Sequence, residues 1–178
     1  MDTAKAIALL TTNQGRVADY VLADFTDLGK IKEHPLPLIT IPTTAGTGSE
    51  VDFWAVITII QKRMKFSIGQ GPMYPNGPYL GATVSLVDPV LTMGLPPKLT
   101  ASTGVDALSH AVETYVAKGT NPFVEALALR SIELIARYLP MAYREGSNLE
   151  ARESMMLASH LAGICENFAN CGGIHSLA

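Results

Sequence analysis

The sequence predicts a chain in two parts, an α/β part followed by an all-α part, with the change of character near residue 95. Three observations carry that expectation. Before residue 95 the apolar stretches are short, β-branched and punctuated by Gly and Pro, which is how buried strands and their turns read. Pro96-Pro97 then interrupts any element running through it. Beyond it, three long segments keep an apolar period near 3.6, and no strand pattern returns. The domains are accordingly expected over 1–94 and 95–178.

The elements follow in order. Residues 2–10 have helical composition and begin with Asp2, an acid placed where it favours a helix N-terminus. A polar break leads to a short helical patch over 17–22. Residues 36–42 form an apolar run between prolines and read as a buried strand. The segment TTAGTGSEV, residues 43–51, combines two glycines with hydroxyl and small side chains directly after that strand. Such a loop lets backbone approach a ligand closely and offers N–H groups and hydroxyls to phosphate or ribose oxygens. It matches neither standard glycine-rich phosphate pattern, so an ordinary turn stays open as an alternative. Runs at 53–60 and 64–68, parted by Gln61-Lys62-Arg63, predict a β-hairpin with Lys65 in its second strand. Residues 69–81 read as a Gly- and Pro-rich loop, and 82–87 as a last strand.

Helices are expected over 98–118, 122–138 and 149–168. Asn121 is the N-cap of the second, Pro122 its first residue, and Pro140 lies beyond its predicted end. In the first, Val105, Leu108, Val112 and Tyr115 form the apolar stripe expected to face the core. Asp106 and His110, at i and i+4, leave one face of that helix a turn apart. A carboxylate and an imidazole drawn toward a core need a partner. A divalent metal supplies one, and a surface ion pair or a buried Asp–His hydrogen bond supplies another. His175, just after Gly172-Gly173, is the third candidate, and two histidines with a carboxylate suit iron, zinc or a similar cation. His34 reads as a solvent-exposed connector residue, and His160, in mid-helix, as structural.

Composition narrows the class of function. Hydrophobic residues make up 48% of the 178 and charged residues 16%, as in a well-buried globular protein. A formal charge of -3 provides no basic field, so neither nucleic acid nor an anionic membrane is an expected partner. No apolar run approaches the ~20 residues of a spanning helix, and no secretory pattern opens the chain. Cys165 and Cys171 form no CxxC and read as free buried thiols in a reducing cytoplasm.

Four ordered segments, TTAGTGSEV, DPVLTMGLPPKLTASTGVDALSHAVETYV, NPFVEALALRSIELIARYLP and GGIHSLA, resemble the iron-containing (group III) alcohol dehydrogenases across essentially the whole chain. The resemblance implies the C-terminal part of a Rossmann-like dinucleotide-binding domain, then the first helices of an all-helical metal-binding domain. It implies a metal held by Asp106, His110 and His175, either Fe²⁺ or Zn²⁺. It also implies NAD or NADP contacts at Thr43, Thr44 and Thr47, at Val56 and Lys65, and at Leu91, Gly94 and Leu99. The activity implied is reversible oxidation of an alcohol to an aldehyde or ketone. The family's pyrophosphate glycines would precede Asp2, and its further metal-site histidines would follow Ala178. The chain is therefore expected to be an internal or truncated fragment, impaired or inactive, and inclined to homo-oligomerise through exposed strand edges. Two departures stand inside the matched region. Asp52 replaces a usual Thr near the expected phosphate path, and residues 166–171, ENFANC, replace the usual F-N-N-A-x-L. A non-catalytic metal-binding or oligomerising helical domain is the competing expectation. A facial-triad iron oxygenase fits the residue types but not their helical setting.

Overall fold

The computed structural model describes residues 1–21, 30–60, 63–69 and 79–177. Two compact units emerge, one of Met1–Thr40 with Asp52–Ser85, the other of Ile41–Val51 with Leu86–Ala178.

The first unit packs helix α1 (Asp2–Thr12) against an antiparallel ribbon of β2 (Trp54–Ile59) and β3 (Met64–Gly69). Its core gathers Ala6, Leu9, Tyr20, Ile31, Ala55, Ile68 and Leu80. The ribbon alternates as its pleat requires. Ala55 and Ile68 face α1, while Val56, Thr58, Lys65 and Ser67 share the outward face. Lys5 lies in this core with its ammonium donating to Asp52 Oδ1, to the Asp52 carbonyl (3.0 Å) and to the Trp54 carbonyl (2.8 Å). Asp52 is thus buried in an ion pair rather than offered to a phosphate. Asn13 pins the connector after α1, accepting from the N–H groups of Lys32 (2.9 Å) and Glu33 (3.0 Å).

The two outer strands are shorter than their apolar runs. β1 (Ile39–Thr40) and β4 (Val84–Ser85) pair in parallel over two residues only. Prolines 35, 37 and 42 flank or interrupt the first run and lack the N–H that a ladder needs. Within the predicted patch at 17–22, Val17–Tyr20 form a 3₁₀ turn; Leu22 and residues 70–78 of the predicted loop lie outside the described residues.

The second unit is built on α2 (Pro97–Val116), α3 (Pro122–Arg144) and α4 (Leu149–Ala169), with a short α5 (Gly173–Leu177). Its main core includes Ala107, Leu134, Ile135, Ala142, Met155, Met156 and Ala158. Asn121 Oδ1 accepts from the N–H groups of Phe123 and Val124, the N-cap read from sequence. Two expectations fail here for the same reason, tertiary packing. Helix α3 continues through Pro140 to Arg144, although proline inside a helix costs about 3 kcal/mol. Leu139 and the buried Ala142 keep packing on the core across that position, which offsets the loss. On α2 the predicted stripe is largely outward, with Val105 53% exposed. The buried face is instead Thr100, Gly104, Ala107, His110, Ala111 and Thr114. Small side chains there let the helices approach: a Cβ on Gly104 would stand 2.4 Å from Leu139 Cδ1. Among the described residues no helix is long and apolar enough to cross a membrane.

Candidate metal centre

The site grows from the buried face of α2 and the chain reversal after α4. Asp106, His110 and Glu113 lie at i, i+4 and i+7, one side of the helix over two turns. Helix α4 contributes Glu166 near its end and is capped by Asn170, whose positive φ of 59° is uncommon outside glycine and reverses the chain. That turn sends Cys171, Gly172 and Gly173 back toward α2 and sets His175 on α5.

The pieces meet. The imidazoles of His110 and His175 stack with centroids 4.2 Å apart and planes 18° from parallel. His175 Nε2 is 3.7 Å from Asp106 Oδ1. His175 Nδ1 donates to Glu113 Oε2 at 2.5 Å, and the N–H of Ile174 donates to Oε1 of the same carboxylate. Glu113 therefore fixes the ring's orientation and the nitrogen that carries its proton, leaving Nε2 for another partner. His110 Nε2 lies 2.9 Å from Glu166 Oε1, while its buried Nδ1 makes no well-formed hydrogen bond. His110, Cys171 and His175 can place one ligand atom each within 4.8 Å of one another.

Electrostatics follow from these contacts. Burial works against protonation of His110, but the hydrogen bond to Glu166 and the charges of Glu166 and Asp106 outweigh it and hold its pKa above the usual histidine range. Glu113 moves down: desolvation would raise it, and the His175 and backbone N–H hydrogen bonds overcome that. Two facing imidazoles ringed by three carboxylates make a locally negative pocket that favours positive charge, whether as protons on the rings or as a cation. Imidazole nitrogens, a carboxylate and a thiol are also the donor types that iron and zinc accept.

The loop 43–51 belongs to this same unit and is wedged against α4. Gly48, at φ +62°, touches Gly163, where a Cβ would come 2.7 Å from the Gly48 Cα. Glu50 Oε1 pairs with His160 Nδ1 at 3.1 Å, and Asn167 Nδ2 donates to the Val51 carbonyl at 3.0 Å. His160, expected to be structural, ties α4 to this loop through that contact. Thr43 and Thr47 are exposed on the loop and Thr44 half-buried. Leu91, Gly94 and Leu99 are exposed in this unit, and Val56 and Lys65 lie on the outward face of the ribbon in the other.

Sequence reasoning missed Glu113 and Cys171. Glu113 was legible, three residues beyond His110 on the same face. Cys171 was read as a buried thiol but is exposed, because α4 ends at Ala169 and Cys171 lies beyond its cap, Asn170.

Known proteins match the chain over most of its length. A family model described as iron-containing alcohol dehydrogenase matches residues 1–89. A second, the C-terminal part of the Fe-containing alcohol dehydrogenase family, matches residues 100–178. The chain is 44% identical to a choline dehydrogenase of Bacillus subtilis, with 100% of this chain and 42% of that protein covered. It is 41% identical to an NAD-dependent methanol dehydrogenase of Bacillus methanolicus, covering 99% and 43%. Among solved structures, a 1,3-propanediol oxidoreductase superposes with a TM-score of 0.89 at 40% identity, over 99% of this chain and 43% of that one. A sulfoacetaldehyde reductase from Bifidobacterium kashiwanohense, in complex with NAD+, superposes at 0.83 with 36% identity, over 98% and 44%. The chain thus spans less than half the length of the relatives it matches.

Proposed function

The chain belongs to the iron-containing alcohol dehydrogenase family, and we propose that it carries the metal-holding and part of the cofactor-holding surface for NAD(P)-linked, reversible oxidation of an alcohol to an aldehyde or ketone. The observation that supports this most is the convergence of His110, His175 and Asp106 from two separate helices. Two stacked imidazoles with a carboxylate 3.7 Å from one of them form a donor set for Fe²⁺ or Zn²⁺.

Asp106, His110 and His175 would hold the ion. Bound there, a divalent cation would supply Lewis-acid polarisation of an alcohol oxygen, and a bound nicotinamide would supply the hydride acceptor. The chain's own groups do the positioning. Glu113 keeps the His175 proton on Nδ1, so Nε2 presents its lone pair. Glu166 and Asp106 add negative charge around His110, which favours a cation there. The exposed Thr43 and Thr47 hydroxyls, on a loop held by the Gly48–Gly163 contact, would meet cofactor oxygens, with Thr44 beside them. Leu91, Gly94 and Leu99 offer an apolar, sterically open surface to a nicotinamide ring, since a Cβ at Gly94 would meet nothing within 4 Å. Val56 and Lys65 would contribute from the ribbon, Lys65 through its charge.

Calorimetric titration with Fe²⁺ or Zn²⁺, with and without NADH, tests the reading alongside turnover of short alcohols and aldehydes. Metal binding that strengthens NADH binding is the expected result. Metal binding indifferent to NADH would reduce the chain to a metal-binding module, and no metal binding would refute the site.

A further inference from the structure

Cys171 stands where the family resemblance has Leu, yet it faces the centre of the site. We propose that Cys171 is a metal ligand in this chain, forming with His110 and His175 a two-nitrogen, one-sulfur site that favours Zn²⁺ over Fe²⁺. The proposal rests on the metal reading above through the two shared histidines and adds to it a donor and a selectivity.

Three observations carry it. The ligand atoms of His110, Cys171 and His175 already lie within 4.8 Å of one another. Zinc bonds of about 2.0–2.3 Å place any two ligands of one ion within about 4.4 Å, so small side-chain rotations close the set. The His110 side chain is only 8% exposed, and its buried Nδ1 makes no well-formed hydrogen bond, the kind of atom a ligand satisfies. The backbone also brings the thiol to the site: Asn170, at φ 59°, caps α4 and turns the chain back at Cys171, and the next residue lies so close to the site that a Cβ on Gly172 would stand 3.1 Å from Glu113 Oε1. An exposed thiol can rotate and release its proton to solvent on binding, unlike the buried Cys165.

Selectivity follows from donor softness. Thiolate ligands prefer zinc and comparable soft cations, whereas imidazole with carboxylate serves iron equally well. Asp106, 3.7 Å from His175 Nε2, remains available as a fourth, oxygen donor.

The test uses the metal-free 178-residue chain and its Cys171→Ser variant, checked by circular dichroism for equal helix content. Titration with Co²⁺ is expected to produce a sulfur-to-cobalt charge-transfer band in the wild type, discharged by Zn²⁺, and no such band in the variant. Zinc affinity is expected to fall at least ~10-fold in the variant, with a smaller change for Fe²⁺. Saturating Zn²⁺ should also protect the one readily alkylated thiol. Co²⁺ binding without the band, or with a band that survives Cys171→Ser, overturns the assignment of Cys171 and leaves the Asp106–His110–His175 reading standing. Unchanged zinc affinity in the variant does the same. Failure of the wild-type chain to bind either Co²⁺ or Zn²⁺ overturns both.

Discussion

Replacing Asp52 by Ala strands a charge. Lys5 is fully buried, and its ammonium has three acceptors, one of them the Asp52 carboxylate. Without that carboxylate, two carbonyls remain around a buried cation that has lost its counter-charge. Breaking a buried pair from one side costs about 3–5 kcal/mol. Set against a typical total of roughly 5–15 kcal/mol, that loss lowers the thermal midpoint on the order of 10 °C. The complementary variant, Lys5→Met, behaves differently. It leaves a carboxyl that burial already pushes toward its neutral form, with Lys5 the main opposing influence. Removing Lys5 raises that pKa further, so the penalty of Lys5→Met grows as pH rises above the ordinary carboxylate value and shrinks as pH falls toward it. In the double variant Lys5→Met/Asp52→Ala no charge is stranded, and most of the Asp52→Ala loss should return. The assay is urea unfolding followed by fluorescence of Trp54, the single tryptophan, which accepts a Lys5 hydrogen bond through its carbonyl. Single-variant losses that add in the double to within about 0.5 kcal/mol would refute the reasoning.

The other predictions concern the second unit. Glu113→Gln removes the charge that orients His175 and is expected to weaken metal binding about 10–100-fold in a calorimetric titration, with little change in the unfolding midpoint. Gly163→Ala forces a methyl against the Gly48 backbone and should cost about 1–3 kcal/mol; faster hydrogen exchange at Val51, whose carbonyl is held by Asn167, locates the damage. In the metal-free protein Cys171 should alkylate readily near neutral pH. Cys165, whose pKa burial pushes up to about 11, should stay unreactive below that value until the chain unfolds, as peptide mapping would show. Pro140→Ala should stabilise by up to about 3 kcal/mol in denaturant titration, because the helix there runs on regardless of the missing hydrogen bond.

The helices, the hairpin and the Asn121 cap were legible in the sequence because each depends on local period or local chemistry. So were Asp106 and His110 as a pair, since four residues along a helix bring two side chains to one face wherever the helix packs. Which face packs was not legible. Val105, Val112 and Tyr115 are the more apolar choice, yet Gly104, Ala107, Ala111 and Thr114 are buried, because close approach of three helices rewards small volume over hydrophobicity. The same holds at Pro140, where a local rule ends the helix and packing on both sides of it carries the helix through. The site's remaining members are separated in sequence and joined only in space. Glu113 and His175 are 62 residues apart, and nothing local announces that one carboxylate will hold both the ring nitrogen and the Ile174 N–H. Local composition determined the elements and nominated the ligands. The reversal at Asn170, a single residue at positive φ, decided which of them meet, by turning Cys171 and His175 back onto the buried face of α2.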